Sequence, residues 1–224
     1  MIRRPFEQWL SEDVEITFNI ERVSDLPLLT QWLDVPKNNP LSPKIDKLRI
    51  FLSNNVEYWN EDELKMMFLA AFLGEFEFNN APFYRVFIQR KSSTQMFDIE
   101  TNEVNERVEW FIATGKQTPK KPFFFLQEYK QEKNSGNDPL GQLLIAMVEA
   151  QILNEDAKKP LFGCYMIGRF WFFIVLEDKK YSVSRAYDST QIDELSEIVV
   201  VLERVKEHIH KELGLPAPVK NNYN

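Results

Sequence analysis

The chain has 224 residues, of which 44% are hydrophobic and 27% charged, a composition typical of a folded globular protein and not of a disordered one. Its formal net charge of -7 repels polyanions, so contact with nucleic acid would require a local basic patch. A single cysteine excludes an internal disulfide, and no uncharged apolar run of about 18 residues is present to cross a membrane. We therefore expect a cytoplasmic protein with no membrane partner, in which Cys164 is a small buried hydrophobe.

Residues 1–59 are expected to form a helical N-terminal extension that packs on the core of the protein. Apolar residues recur at helical spacing between Leu26 and Leu33 and again between Ile45 and Val56, and the turn-rich stretch VPKNNPLSP joins these two segments. The same helices could dock a protein partner. A core domain is expected over residues 60–214, followed by a flexible tail over 215–224.

The core domain is predicted to begin with a helix and three strands. Asn60 and Glu63 have the spacing of an N-cap and a capping box, and the apolar stripe that follows them ends near Gly74. Strand-like segments follow at 83–93, 106–115 and 122–130. The third of these contains PFFFL and is apolar on both faces, which indicates a central strand.

The second half of the domain is predicted to add a helix, a hairpin and a terminal helix. Asp138 has the position of an N-cap and Pro139 that of the first helical residue, ahead of a single apolar stripe. Residues 159–188 indicate a long hairpin with turns at 168–169 and 177–179, and residues 191–213 indicate a helix. This order predicts an α/β (α+β) fold, in which helices flank a mixed sheet.

Several common catalytic motifs are excluded. In ATGKQT, Gly115 and Lys116 suit a P-loop, but Trp110 stands where its first glycine is needed and Gln117 replaces the Ser or Thr that binds magnesium. Motifs for dinucleotide binding, zinc proteases and serine hydrolases do not occur. The two histidines, His208 and His210, both fall on the terminal helix, where we expect surface residues.

The remaining candidate chemistry centres on carboxylates. Glu109 has apolar neighbours in the second strand, and Glu128 and Lys130 lie near the end of the third. Because strand side chains alternate between faces, Glu128 and Lys130 project from one face, and all three groups converge if the strands are adjacent.

Such carboxylates would be partly protonated, paired with Lys130, or arranged to hold a divalent cation. Magnesium prefers oxygen ligands, and the backbone carbonyl of Tyr129 could supply one more. Lys130 would then position or activate the attacking water, or stabilise the transition state. The alternative is that Glu-x-Lys merely returns a buried strand to water, with Glu109 as a half-buried strand residue.

Three stretches together carry a family resemblance: Glu128-Tyr129-Lys130, Asp138-Pro139-Leu140-Gly141-Gln142-Leu143-Leu144 and Gly163-Cys164-Tyr165. With them, residues 60–176 resemble the PD-(D/E)XK nuclease-like superfamily, and within it the Bacteroidetes-type members. The resemblance implies a restriction-endonuclease-like core: a helix, a three-stranded meander carrying two motif acids, a second helix and a further strand. It also implies a nuclease that uses Mg²⁺ or Mn²⁺.

The resemblance further implies roles for individual residues. Glu128 and Lys130 match the D/E-x-K pair, and Glu109 occupies the place of the upstream metal-binding Asp. Gln142 resembles a polar residue that the superfamily places beside the active site. Glu109 departs from the usual Asp and has no Pro before it, and its extra methylene lengthens the side chain by about one bond.

An acid from the first helix is a further expectation of the resemblance. Glu63 and Glu75 are the candidates. Glu75 follows Leu64 by eleven residues and would align with the apolar stripe, unless Gly74 ends the helix first and leaves Glu75 in a turn.

Basic residues near the motif strands could form the patch that phosphate binding needs, or could be solvated loop charges. They are Lys116, Lys120, Lys121, Lys130 and Lys133, with Arg85, Arg90 and Lys91 on the first strand. Two functions therefore stay open: a metal-dependent phosphodiesterase that cleaves nucleic acid, and a catalytically inactive nuclease-like fold that serves as a binding or scaffold protein.

Overall fold

The computed structural model describes residues 8–36, 39–90, 108–133 and 138–219. The strands are β1 (Glu21–Arg22), β2 (Arg85–Arg90), β3 (Val108–Thr114), β4 (Lys120–Lys130), β5 (Leu161–Ile167), β6 (Phe170–Glu177), β7 (Lys180–Val183) and β8 (Tyr187–Asp188). The helices are α1 (Ser11–Phe18), α2 (Pro27–Leu33), α3 (Pro43–Asn55), α4 (Glu61–Glu63), α5 (Ala70–Gly74), α6 (Pro139–Leu153) and α7 (Ile192–Glu212). A π-helical segment, Leu64–Leu69, joins α4 to α5.

The strands form one mixed sheet in the order β1-β7-β6-β5-β4-β3-β2, with β8 paired to β6. Strands β2, β3 and β4 are an antiparallel meander, and β5 lies parallel to β4 after the crossover through α6. Strands β6 and β7 continue antiparallel from β5. The predicted α+β class with a mixed sheet flanked by helices is confirmed, as are the turns that join β5, β6 and β7.

The sheet separates two hydrophobic cores. One packs against α2, α3, α5 and α7, and the other packs against α1 and α6. Strand β4 contributes to both, since Phe124 and Phe125 belong to the first core and Phe123 and Leu126 to the second. This burial on both faces explains the continuous apolar run in its sequence. Cys164 on β5 is also fully buried, as predicted, and burial raises the pKa of its thiol.

The motif that begins at Asp138 joins two helices. Its carboxylate accepts hydrogen bonds from the backbone N–H of Leu140 in α6, at 3.0 Å, and of Ser11 at the start of α1, at 2.7 Å. Gly141 lies against the backbone of Trp9, where a Cβ atom would overlap the carbonyl oxygen. The local structure of this motif therefore caps α6 and docks α1 onto it.

Two features of the first half differ from the sequence expectations. The N-terminal extension is not wholly helical, because β1 pairs in parallel with β7 and extends the sheet. The helix that begins after Asn60 is α-helical only at its ends, since residues Leu64–Leu69 are π-helical. The predicted capping box is confirmed, with reciprocal bonds between Asn60 and Glu63 of 2.9 and 2.8 Å.

The prediction that both histidines lie on the surface is wrong for His210. Its Nε2 lies 2.9 Å from the Tyr84 hydroxyl and its Nδ1 lies 2.5 Å from the carbonyl oxygen of Pro216, and it is buried because the chain after α7 folds back over it. His208 is half-buried beside Phe162, and burial lowers its pKa. Among the described residues, no helix is long and apolar enough to cross a membrane.

Candidate active site

The two predicted acids lie where β3 parts from β4. The register of these strands runs from Thr114↔Lys120 to Trp110↔Gln127, and Glu109 and Glu128 are the next residues on each strand. Beyond this point β4 stays paired with β5 as far as Lys130. A polar site can therefore form beside a rigid strand at the end of the meander.

Glu128 and Lys130 form a buried ion pair. Lys130 Nζ lies 2.8 Å from Glu128 Oε1, and the two side chains are 12% and 8% exposed. Oε1 is buried and has this ion pair but no hydrogen bond of good geometry. The prediction that the side chains of Glu128 and Lys130 project together is thus confirmed.

Glu109 is held by a lysine that the sequence analysis does not identify. Lys65 Nζ, from the π-helical segment, lies 3.1 Å from Glu109 Oε2 and 4.8 Å from the centre of the Tyr129 ring. Gln89 Nε2 on β2 donates a further, longer hydrogen bond of 3.3 Å to the same Oε2 atom.

Glu61 connects the two halves of the site. Its Oε1 lies 2.7 Å from Lys65 Nζ and its Oε2 lies 3.7 Å from Lys130 Nζ. Carboxylates and ammonium groups therefore alternate in one continuous series, which we name the acid-lysine cluster. Its members, in order of contact, are Glu128, Lys130, Glu61, Lys65 and Glu109.

Burial and charge shift the pKa values in opposite directions within the cluster. Burial raises the pKa of Glu128 to about 7, and the nearby Lys130 only partly offsets this effect. Burial lowers the pKa of Lys130 and of Lys65, but the neighbouring carboxylates together outweigh it. They are Glu128, Glu61 and Glu109 at Lys130, and Glu61 and Glu109 at Lys65, so both pKa values are raised. Both lysines are therefore protonated at neutral pH.

Tyr129 contributes more than the backbone carbonyl considered from sequence. It pairs with Met166 on β5, and its ring lies beneath the Lys65 ammonium. Burial, followed by the charges of Glu109 and Glu128, raises the pKa of its phenol. The phenol therefore keeps its proton at neutral pH.

Glu61, Lys65 and Gln89 were not predicted from the sequence as members of the site. The four-residue spacing of Glu61 and Lys65 on a capped helix is a signal for their mutual ion pair. No local pattern indicates that this helical pair faces the end of β4. Gln89 has no comparable signal, because its contact depends on the pairing of β2 with β3.

The other candidates have different surroundings. Glu63 caps the helix through Asn60. Glu75 follows Gly74, the last residue of α5, and forms an ion pair with Lys44 of α3 at 2.5 Å. Of the two placements predicted for Glu75, the turn after Gly74 is therefore the one that is found. Gln142 is buried in the first turn of α6, which covers β4 and β5.

The predicted basic patch does not surround the acids. Lys116 and Lys120 lie at the turn between β3 and β4, and a separation of eight residues places Lys120 about 26 Å from Glu128 along the strand. Lys121 pairs there with Glu155. The expectation fails because the antiparallel meander puts its turn at the end opposite the acids.

The remaining basic candidates are divided between the two ends. Arg85 donates a hydrogen bond to the carbonyl of Lys116 at the far end. Lys130 belongs to the acid-lysine cluster, and Lys133 pairs with Glu57 at 3.4 Å. The side chain of Arg90 and the whole of Lys91 lie outside the described residues.

A cleft of about 520 Å³ opens beside the acid-lysine cluster. Lys65, Gln89 and Tyr129 line it on the side of the cluster, and the apolar Leu69 and Trp110 are among the residues that line the rest. Its volume lies within the range of about 300–1,000 Å³ that ligand pockets usually have.

The donor atoms suit a hard divalent cation in kind. Glu61, Glu109 and Glu128 offer carboxylate oxygens, and the buried Glu128 Oε1 lacks a hydrogen bond. Within the described ranges, however, no three Asp, Glu, His or Cys side chains are grouped closely enough to hold a metal ion. An ammonium group lies between each neighbouring pair of these acids.

Comparison of the chain with family models, with curated proteins and with solved structures finds no match.

Proposed function

We propose that this protein is a metal-dependent nuclease of the PD-(D/E)XK type, which hydrolyses phosphodiester bonds in nucleic acid. The observation that carries the proposal is the buried pair of Glu128 and Lys130, connected to Glu109 at the point where β3 leaves β4. The order of a helix, the β2 to β4 meander, α6 and β5 supports it, because a restriction-endonuclease-like core has the same order.

The carboxylates of Glu109 and Glu128 are the proposed ligands of Mg²⁺ or Mn²⁺, with the Tyr129 carbonyl as a further donor, and their ion pairs with Lys65 and Lys130 would have to open for an ion to bind. Bound metal would polarise the scissile phosphate and lower the pKa of a bound water. Gln142 stays a candidate for orienting that water.

Lys130 has the charge that the reaction needs. Its pKa is raised by Glu128 against the effect of burial, so it is not a general base at neutral pH. Its protonated ammonium group instead stabilises the negative charge that develops on the phosphate oxygens. The cleft beside Lys65 offers apolar surface to a nucleobase next to the scissile phosphate.

The proposal is tested by incubating the full chain with single-stranded DNA, duplex DNA, branched DNA and RNA, each with Mg²⁺ and with Mn²⁺. We expect cleavage of at least one substrate, with activity lost in Glu128→Gln and Lys130→Met. Lys121→Met is the matched control, because its ion pair with Glu155 is exposed and distant from the acids. The absence of cleavage under all conditions would contradict the proposal.

A second candidate is a catalytically inactive nuclease-like fold that binds a protein partner. The pairing of all three acids with lysines favours it, as does the exposed apolar surface of Ile50 and Phe51 on α3. Calorimetric titration with Mn²⁺ separates the two functions. Binding heat that is lost in Glu128→Gln favours the nuclease, and the absence of heat favours the binding fold.

A further inference from the structure

Strand β2 forms one edge of the sheet. It is the last strand in the sheet order, and among the described strands only β3 pairs with it. Val86 donates its backbone N–H to Asn79 Oδ1 at 3.0 Å, so this group points away from β3. Because backbone groups alternate in direction along a strand, the N–H and C=O of Ile88 also point outward, where no described residue bonds to them.

The helical stretch from α4 to α5 lies beside this edge and runs in the opposite direction. At its start, Lys65 Nζ contacts the same Glu109 Oε2 atom as Gln89, near the end of β2. Just after its end, Asn79 bonds to Val86, near the start of β2. The helical stretch and the edge strand therefore form two walls of the cleft.

We name the apolar part of the cleft between these walls the edge groove. Its helical wall consists of Met66, Ala70 and Gly74, at a spacing of four residues, and its strand wall consists of Val86 and Ile88. Met66 is 73% exposed and Ile88 is 59% exposed. A Cβ atom at Gly74 would meet no atom within 4 Å, so the groove is open there. Exposed apolar walls beside unpaired backbone groups are features of a surface that accepts a further strand.

The charge of the cleft favours basic side chains in a ligand. Asp62 and Glu77 line the cleft, and neither forms an ion pair with a described residue. Lys65 is the one basic residue in the described lining, and Glu61 and Glu109 already hold it. Two carboxylates and one ammonium group give the lining a net charge of minus one. Complementary charge steers association, so Lys or Arg side chains are favoured beside the two unpaired acids.

We propose that the edge groove binds an extended, basic peptide segment of a partner protein. The segment adds to β2 as a further strand, places an apolar side chain between the walls and pairs Lys or Arg side chains with Asp62 and Glu77. Side chains of alternate residues share one face of a strand, so the segment has the pattern basic-x-apolar-x-basic.

The dimensions of the groove agree with this pattern. Asp62 and Gly74 are twelve residues apart on the helical stretch, which corresponds to about 18 Å. The first and last residues of an extended pentapeptide are about 13 Å apart, and long basic side chains extend beyond them. The inference does not depend on nuclease activity, because no residue of the edge groove belongs to the acid-lysine cluster.

The first test is an NMR titration of the isotope-labelled full chain with the acetylated and amidated peptide Lys-Thr-Leu-Thr-Lys. We expect the Ile88 amide signal to shift and its hydrogen exchange to slow several-fold, because its N–H gains an acceptor. The amide of Ile16, on α1, is the control and should not change. Unchanged shift and exchange of the Ile88 amide at millimolar peptide overturn the inference.

Altered peptides separate backbone pairing from side-chain contacts. We expect N-methylation either of the leucine or of the two threonines, whichever face β2, to weaken binding by on the order of tenfold. Replacement of both lysines by glutamate should weaken it by a similar factor. If neither N-methylated peptide binds more weakly, no strand is added. Equal binding of the acidic peptide, or tighter binding of a single-stranded oligonucleotide at Ile88, also overturns the inference.

Variants of the protein test the two acids and the open groove. We expect the double variant Asp62→Asn and Glu77→Gln to bind the basic peptide on the order of tenfold more weakly. Gly74→Leu should also weaken binding, because its side chain fills the open part of the groove. Glu155→Gln is the matched control, since its ion pair with Lys121 lies at the opposite end of the meander. Unchanged affinity in both groove variants overturns the inference, as do shifts at Ile88 that appear on concentrating the protein without peptide, which would show that a second copy occupies the edge.

Discussion

Lys130 Nζ lies 2.8 Å from Glu128 Oε1, and both side chains are almost fully removed from water. An exposed pair with the same spacing in sequence would contribute little, because water screens it. Here the buried charge of Glu128 depends on Lys130 for compensation. The pair therefore links the stability of the central strand to the chemistry of the site.

Loss of the lysine should destabilise the protein. We expect Lys130→Met to lower the free energy of unfolding by about 1–3 kcal/mol, since Glu128 is left buried without its partner. The matched Lys121→Met removes an exposed ion pair and should cost less than about 1 kcal/mol. Urea unfolding of both variants measures the two losses in the free energy of unfolding. Equal losses would show that the buried pair of Glu128 and Lys130 contributes no more to stability than an exposed pair.

Glu128 should make the stability of the metal-free protein depend on pH. Burial raises its folded-state pKa from 4.5 to about 7, so the folded state retains a proton that the unfolded state has released between these values. The associated stability is complete below pH 4.5 and is lost as the pH rises to about 7.

This pH dependence is checked with Glu128→Gln, which cannot ionise. In EDTA, we expect the variant to gain up to about 3 kcal/mol relative to the wild type between pH 5 and pH 8. Glu155→Gln, an exposed acid, is the control and should follow the wild type. Parallel curves for the wild type and Glu128→Gln would contradict the raised pKa.

Glu61 should matter for ion binding although it lies outside the motif strands. Its carboxylate contacts both lysines of the acid-lysine cluster. We expect Glu61→Gln to weaken Mn²⁺ binding by on the order of tenfold in calorimetry. Glu57→Gln removes an exposed acid that pairs with Lys133 outside the cluster, and the Mn²⁺ affinity of this variant should be unchanged. If the two variants behave alike, Glu61 has no specific part in the site.

Gly141 should be required by the docking of α1. A Cβ atom there would overlap the backbone at Trp9, so we expect Gly141→Ala to lower the free energy of unfolding by about 1–3 kcal/mol. Gly74→Ala is the control, because a Cβ at Gly74 meets no atom within 4 Å and alanine favours the helix by up to about 1 kcal/mol. Thermal or urea unfolding distinguishes them, and a neutral Gly141→Ala would contradict the contact.

Much of the fold follows from local patterns. The apolar run before Glu128 indicates a central strand, the Asn60 capping box marks a helix start, and Asp138 with Pro139 marks another. The prediction of a basic patch around the acids was wrong for a reason that strand direction already contains. In an antiparallel pair, the turn that carries Lys116 and Lys120 lies at the end of β4 opposite Glu128.

Other features depend on contacts between distant segments. The pairing of β1 with β7 joins residues about 160 positions apart, and the burial of His210 requires Tyr84 and the chain after α7. Neither has a periodic signal, because hydrophobic periodicity reports which face of an element is buried and not which element covers it.

The joint projection of Glu128 and Lys130 is a local property, since a strand alternates its side chains every second residue. The central position of their strand follows equally from the apolar residues that precede them. The contacts of Glu61 and Lys65 with these residues and with Glu109, in contrast, depend on how distant segments pack. The reason is physical: the helix that carries Glu61 and Lys65 is positioned by packing against the sheet, and the partners of a side chain depend on that packing and not on its neighbours in sequence.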